Sequence, residues 1–244
     1  MSKLLDLGGG LHVYAQSIME TRFMHDEIFN EGCYDVDLPD RPFIVDVGGN
    51  IGMFVLYIKS KYPDAEIISF EPMPQSAAVF RQNVALHRLE GITLNEVALG
   101  SETEGNVMFA FYPMLPGNST RYPETKVLPM VQMAEAVPQK TVDQMYKVQE
   151  VNATVERLAS FLPEDRDVDL LKVDVEGAEA DVLLGIAADQ WPRIHQAVLE
   201  VADLDGQLEK VNGILHDAGF TTAVTQAPLT EARNVTYMVH ATRT

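Results

Sequence analysis

The segment Asp46-Val-Gly-Gly-Asn-Ile-Gly52 sets glycines between a short apolar run, Phe43-Ile-Val-Asp-Val47, and a stretch able to open a helix. Glycines there let the backbone pass close beneath a ligand, and the first turn of a helix offers unsatisfied N–H groups. Glu71 closes the next apolar run, 19 residues beyond Gly52, where a second strand would carry it beside the loop to accept hydrogen bonds from ribose hydroxyls. Loop and acid together point to a nucleoside cofactor. Counted from Gly48, the dinucleotide fingerprint Gly-x-Gly-x-x-Gly fails twice, because Asn50 and Met53 occupy its second and third glycine positions. No Gly-Lys-Ser/Thr end of a triphosphate loop is present either, and Asp46 would repel a pyrophosphate but suit an ammonium group.

Further acids follow apolar runs later in the chain. Asp174 ends the run that starts at Val168, Glu176 begins the next turn, and Glu200 ends the run that starts at Ile194. Asp174 and Glu200 are therefore candidate catalytic groups, and Glu176 a candidate for holding a substrate. Glu179 and Asp181 read as solvated helix residues. His25 precedes Asp26-Glu27 in an amino-terminal segment expected to fold over the cofactor mouth, which makes it the candidate general base. Asn118 and Ser119 stand in a long irregular stretch and are expected to orient substrate; Met108, Phe109, Phe111, Tyr112, Met114 and Tyr122 around them would line an apolar pocket or form the core of an inserted hairpin. Cys33 is the only cysteine, so no disulfide or cysteine-based zinc site forms within one chain. The strand-end acids could hold Mg²⁺ through oxygen ligands, but acid richness overpredicts such sites, and no metal ligand is assigned.

The elements that must position these residues follow from the spacing of apolar residues. Residues 1–42 read as a short helix near Ile18–Phe29 and a turn-rich loop leading into the first strand, 43–47. The pattern then runs helix 53–62, strand 66–71, helix 75–89 and a strand from Ile92, which implies a parallel sheet with right-handed crossovers. Between Gly100 and Val151 no clear helix is expected, and so long a connection reads as substrate cover. Regularity resumes with helix 154–162, strand 168–174, helix 177–187, strand 194–201, helix 204–218 and two closing strands, 221–226 and 235–240. A short polar connection joins those two strands, so they are expected to pair antiparallel.

Composition sets outer limits. Eighteen Lys and Arg against thirty-six Asp and Glu leave a formal charge of −18, with no two basic residues adjacent. Nucleic acids and anionic membranes both require a concentrated basic face, so neither is an expected partner. No run approaches the roughly 18 apolar residues of a membrane span, and the amino terminus lacks a signal-peptide core, so a soluble, cytoplasmic protein is expected. The oligomeric state is not encoded in any pattern here.

What remains, an acid-x-Gly-x-Asn-x-Gly loop, a ribose acid and an antiparallel final pair of strands, resembles the class I S-adenosylmethionine-dependent methyltransferases. Phe43-Ile-Val-Asp-Val-Gly-Gly-Asn-Ile-Gly52, Phe70-Glu-Pro72, Asn95-Glu-Val-Ala-Leu-Gly100, Leu171-Lys-Val-Asp-Val-Glu-Gly-Ala-Glu179 and Leu199-Glu-Val201 are similar in order and spacing to the FkbM-type methyltransferases. The stretches Asp26-Glu-Ile-Phe29 and Pro116-Gly-Asn-Ser-Thr120 resemble the subset that O-methylates polyketide and nonribosomal-peptide products. The resemblance spans residues 12–241. It implies an α/β, Rossmann-like fold: a mostly parallel seven-stranded sheet with an antiparallel last strand, helices on both faces, an amino-terminal helical lid (1–42) and an inserted loop or hairpin (about 101–151) within a methyltransferase domain (43–244). It further implies S-adenosylmethionine as cofactor, held by Asp46, Gly48, Asn50, Gly52, Glu71, Pro72, Ala98 and Asp174, and a hydroxylated small molecule, free or tethered to a carrier, as methyl acceptor. Family members often read Glu-Val-His-Asp where this chain has Glu200-Val-Ala202-Asp203, which leaves the catalytic base open. The rival expectations are a degenerate partner subunit that binds cofactor without catalysis and a nicotinamide-dependent dehydrogenase, against which the failed fingerprint and the closing hairpin count.

Overall fold

The computed structural model describes residues 2–229 and 235–243. Its chain opens with a hairpin, β1 (Lys3–Asp6) and β2 (His12–Ala15), then α1 (Ile18–His25), which runs on into a π-turn at Asp26–Asn30. The expected helix over 18–29 is thus present, while the hairpin before it was not foreseen. Next come β3 (Phe43–Val47), α2 (Met53–Lys61), β4 (Glu66–Phe70), α3 (Pro74–Leu86) and β5 (Ile92–Asn95). An insertion follows: β6 (Ala98–Leu99), β7 (Glu104–Phe111), α4 (Val127–Ala136), α5 (Gln139–Met145) and β8 (Gln149–Glu156). The chain closes with β9 (Leu170–Val173), α6 (Glu179–Leu184), β10 (Gln196–Ala202), α7 (Gln207–Asp217), β11 (Thr221–Gln226) and β12 (Thr236–Thr242). Residues 230–234, in the connection expected to be short and polar, lie outside the described residues.

Seven strands form the main sheet in the order β11-β12-β10-β9-β3-β4-β5. The pairings among β5, β4, β3, β9 and β10 are parallel, and β12 pairs antiparallel with both β10 and β11, as expected. Alternation along each strand feeds two cores. Val45, Val47, Leu171, Val173, Leu199 and Val201 pack against α6 and α7 on one face. Ile44, Ile67, Leu170 and Val198 pack against α2, α3 and the amino-terminal segment on the other. Burial on both faces explains why β3 and β9 read as near-continuous apolar runs, each carrying a single charged residue, Asp46 and Lys172.

The structure corrects two expectations. Residues 101–151 contain helices α4 and α5, carried on the antiparallel pair β7 and β8. Residues 154–156, expected to start a helix, instead end β8, which pairs with β7 and β6. Their β-branched and apolar residues alternate toward a small core of Phe109, Phe111 and Val155, and pairing with two strands outweighs the weak helical spacing. Among the described residues no helix is long and apolar enough to cross a membrane.

Candidate active site

The chain runs outward from β3 to β5 and returns to the other side of β3 as β9, so the carboxyl ends of β3 and β9 border the crevice where ligands bind in open α/β sheets. A narrow cleft opens there. Its walls include Gly48 and Asn50 of the glycine loop, Glu71 and Pro72 after β4, Ala98, Phe109, and Asp174 and Glu176 after β9. Ser119 and Arg121 of the insertion close one side.

Local hydrogen bonds fix the loop. Gly48 and Gly49 N–H both donate to the Phe70 carbonyl, at 3.0 and 2.9 Å. Glu71 accepts from the N–H of Asn50 and of Met73, each at 2.8 Å. Asn50 adopts a left-handed φ of 44°, which asparagine tolerates better than most residues. Its side-chain N–H donates to Met24 Sδ at 3.4 Å, and its Oδ1 is buried without a partner among the described residues. An orphaned acceptor on the wall of a cleft calls for a donor from a ligand.

Beneath the loop lies a buried polar row that sequence reasoning missed. Strand register places Ser69, Asp46 and Lys172 side by side on β4, β3 and β9, all facing α2. Ser69 donates to Asp46 Oδ2 at 2.8 Å, and Lys172 Nζ lies 3.3 Å from Asp46 Oδ1 and 3.5 Å from Asp174 Oδ2. Lys172 also donates to the Gly48 carbonyl at 2.7 Å, pinning the loop from below. Burial opposes its charge, yet Asp46 and Asp174 hold its pKa above the usual lysine value. Asp46, expected beside a cofactor ammonium, is 0% exposed and turned to Lys172, so its charge reaches the cleft only through that lysine. The available signal was Lys172 itself, a lone cation in an otherwise apolar strand.

Other expected residues are distributed unevenly. Gly48, Asn50, Glu71, Pro72, Ala98, Asp174, Glu176 and Ser119 meet in the cleft. Gly52 does not line it: a Cβ there would press on the Phe80 ring at 3.2 Å, so Gly52 serves the packing of α2 on α3. Asn118 turns to the buried Glu20 carboxylate, which also accepts from Gly117 N–H at 2.9 Å. Glu200 faces the amino-terminal segment rather than the nucleoside cleft. His25 lies on the outer side of α1, stacked on Phe29 with ring centroids 5.0 Å apart, in a groove lined by Gly8–Gly10, Lys59 and His87. The helix turn directs Glu20, Met24 and Glu27 inward instead, at i, i+4 and i+7. Glu179, read as solvated, is buried and accepts from Gly177 N–H at 2.9 Å, closing the turn before α6. Of the insertion's apolar residues Phe109 lines the cleft, Phe111 and Tyr112 are buried, and Met108 and Met114 are exposed. No group of three His, Cys, Asp or Glu among the described residues is arranged to share a metal ion, so the donor set gives Mg²⁺ no support.

Burial dominates the electrostatics. It raises Glu20 and Glu27 to about 8, and Glu71 and Glu179 to about 7, from an ordinary value near 4.5. Burial also raises Glu176 and lifts Glu200 well above the usual carboxylate range, each helped by the charge on Asp174. The folded chain therefore binds more protons than the unfolded chain between pH 4.5 and 8, and stability is lost as pH rises through that window. Thermal melts should show a Tm lower by roughly 5 °C at pH 8.5 than at pH 5.5. A Tm that climbs steadily over this range would contradict the burial of these acids.

A parallel five-strand core, an antiparallel β12 between β10 and β11, and a cleft at the β3/β9 switch point walled by a glycine loop and a strand-end acid define a class I methyltransferase. A family model described as Methyltransferase FkbM domain matches residues 46–222. The chain belongs to the FkbM methyltransferase family. It is 42% identical over 226 residues to Methyltransferase 1 of Beauveria bassiana (strain ARSEF 2860), covering 90% of each chain. It is 33% identical over 254 residues to the 31-O-demethyl-FK506 methyltransferase FkbM of Streptomyces tacrolimicus, covering 98% of this chain and 96% of that one. Among solved structures, a methyltransferase FkbM from Methylobacillus flagellatus KT superposes with a TM-score of 0.56 at 15% identity, over 88% of this chain and 47% of that one, a likeness of fold.

Proposed function

We propose that this methyltransferase uses S-adenosylmethionine to methylate a hydroxyl of a secondary metabolite of polyketide or nonribosomal-peptide origin, free or carrier-tethered, in the cytoplasm. The observation that carries the reading is the meeting, in one cleft, of a glycine loop held close under the ligand space, the Asn50 acceptor without a donor, and Glu71 at the end of β4. Bound there, S-adenosylmethionine supplies an electrophilic methyl group on a sulfonium. Gly48 and Asn50 would hold its amino-acid end, Glu71 the ribose hydroxyls, and Pro72 and Ala98 the base. Asp174 and Glu176 are acids of the cleft wall beside the insertion, where Ser119 and Arg121 also line it. Asp174 and Glu200 are the strand-end carboxylates available to orient it. An oxygen acceptor is favoured by the printed name of the Streptomyces relative, whose substrate is a demethylated oxygen. The chain's acidity favours neutral acceptors over nucleic acid.

Calorimetry tests the cofactor. S-adenosylhomocysteine should bind with micromolar affinity, and Glu71→Gln should weaken it about tenfold, since a ribose bonded to a carboxylate loses a charge-assisted hydrogen bond. Absence of binding to both S-adenosylmethionine and S-adenosylhomocysteine would overturn the reading.

A further inference from the structure

The inward row of α1 ends on a carboxylate that nothing in the nucleoside cleft uses. Glu20 is held by Gly117 and Met24 by Asn50, which fixes the helix over the strand ends. Glu27, one turn further, is 6% exposed, and no hydrogen bond or ion pair reaches its carboxylate among the described residues. Its electrostatic neighbours are Asp174, Glu176 and Lys172. Lys172 is already engaged by Asp46, Asp174 and the Gly48 carbonyl, and Glu176 is taken by Lys126. Glu200 approaches from the sheet, where the charges of Asp174 and Glu27 act on it. Strand alternation puts it on the face of Val198, which packs in one core with Ile28, Cys33 and Tyr34 of the amino-terminal segment, and no hydrogen bond reaches its carboxylate among the described residues either. Tyr34 donates to Asp174 Oδ2 at 3.2 Å, so Asp174 ties the amino-terminal segment to the wall of the cleft. Carboxylate oxygens that no protein group satisfies, on a residue only 6% exposed, are placed to meet a donor on a ligand.

We infer that Glu27 is a catalytic residue: with Glu200 it forms the acid wall of the acceptor chamber and takes the proton that the acceptor hydroxyl loses. The inference rests on the methyltransferase reading of the adjoining cleft. In the step, the acceptor O–H bond breaks and its proton passes to a Glu27 carboxylate oxygen. The oxygen's electron pair forms the new O–CH₃ bond, the C–S bond of the sulfonium donor breaks, and its pair stays on sulfur as a neutral thioether. An acid wall whose neighbouring cations are already engaged offers no positive charge to a carboxylate or phosphate acceptor, so it favours neutral alcohols and phenols.

The test needs no acceptor. Sinefungin, an adenosyl analogue with a protonated amine where the donor carries its methyl group, probes the position facing the acceptor. The protein should bind sinefungin about tenfold or more tightly than S-adenosylhomocysteine in calorimetry. Glu27→Gln should reduce that preference about fivefold or more while S-adenosylhomocysteine affinity, which also reports folding, stays within about twofold. Glu200→Gln, on a strand rather than the turn, gives a second reading should the first variant fail to fold. Glu31→Gln, at an exposed acid of the same segment, should leave both affinities unchanged. An unaltered preference in the Glu27 and Glu200 variants overturns the inference while leaving the cofactor reading intact. Absence of binding to both nucleosides in the unmodified protein overturns the cofactor reading first, and this inference with it.

Discussion

Replacing Lys172 with methionine should destabilise the protein by about 3–5 kcal/mol, the range seen when one partner of a buried ion pair is removed. The lysine is 2% exposed and Asp46 0%. Without the ammonium, Asp46 keeps only the Ser69 hydroxyl, and the Gly48 carbonyl loses its donor. Methionine fills most of the volume, so the loss is electrostatic rather than a cavity effect. Urea unfolding checks the figure: the midpoint should fall with little change in m. Adding Asp46→Asn to the Lys172→Met variant should restore much of the stability, because the uncompensated charge is then gone. Equal midpoints for the single variant and the parent would show that the pair contributes little to the fold.

Gly48→Ala should abolish cofactor binding more completely than any side-chain change in the cleft. Gly48 has φ of +88°, and a Cβ built on it would lie 1.8 Å from the Asp174 carbonyl oxygen. A Cβ is fixed by its own backbone and the oxygen it meets is backbone too, so no rotamer relieves the contact, and the loop must lift away from the end of β9. Lifting the loop removes the close backbone approach to the ligand, and S-adenosylhomocysteine affinity should fall by about a hundredfold or more, about 2.7 kcal/mol. Gly105→Ala is the matched control, since no atom lies within 4 Å of a Cβ there. Wild-type affinity in the Gly48 variant would mean that the loop does not carry the cofactor.

Much of the parallel core was legible because its strands are buried on both faces and its helices carry long apolar stretches. Phe43–Val47 and Leu170–Val173 have no exposed residue, so each appears in the chain as an apolar run broken only by one charged residue, Asp46 or Lys172. The insertion was less legible for a physical reason. Helix α4 has no buried residue, so its apolar Val127, Leu128 and Val131 report no inward face, and Pro129 breaks the usual helix signal. In β8 the spacing of Val151, Val155 and Leu158 suits a helix as well as the alternation of Val151, Ala153 and Val155 suits a strand, and only pairing with β7 and β6 decides between them.

The acids divide in the same way. Which residues could carry charge to the strand ends was evident from Glu71, Asp174, Glu176 and Glu200, each standing at or just after the end of an apolar run. Which of them have partners was not. Lys172 meets Asp46 across a register that joins residues 126 positions apart, and Glu27 reaches its neighbours only because α1 is held at Gly117 and Asn50. His25 and Glu27 are two positions apart on one helical segment, and the way that segment is turned sets one toward a solvent groove and the other into the site. Local periodicity thus determined the strands and helices of the parallel core and the position of the glycine loop, since these depend on burial patterns within a few residues of chain. The partners of buried charges, and the face of a short helix that meets them, were decided by the tertiary structure, because they depend on contacts between segments that local spacing does not encode.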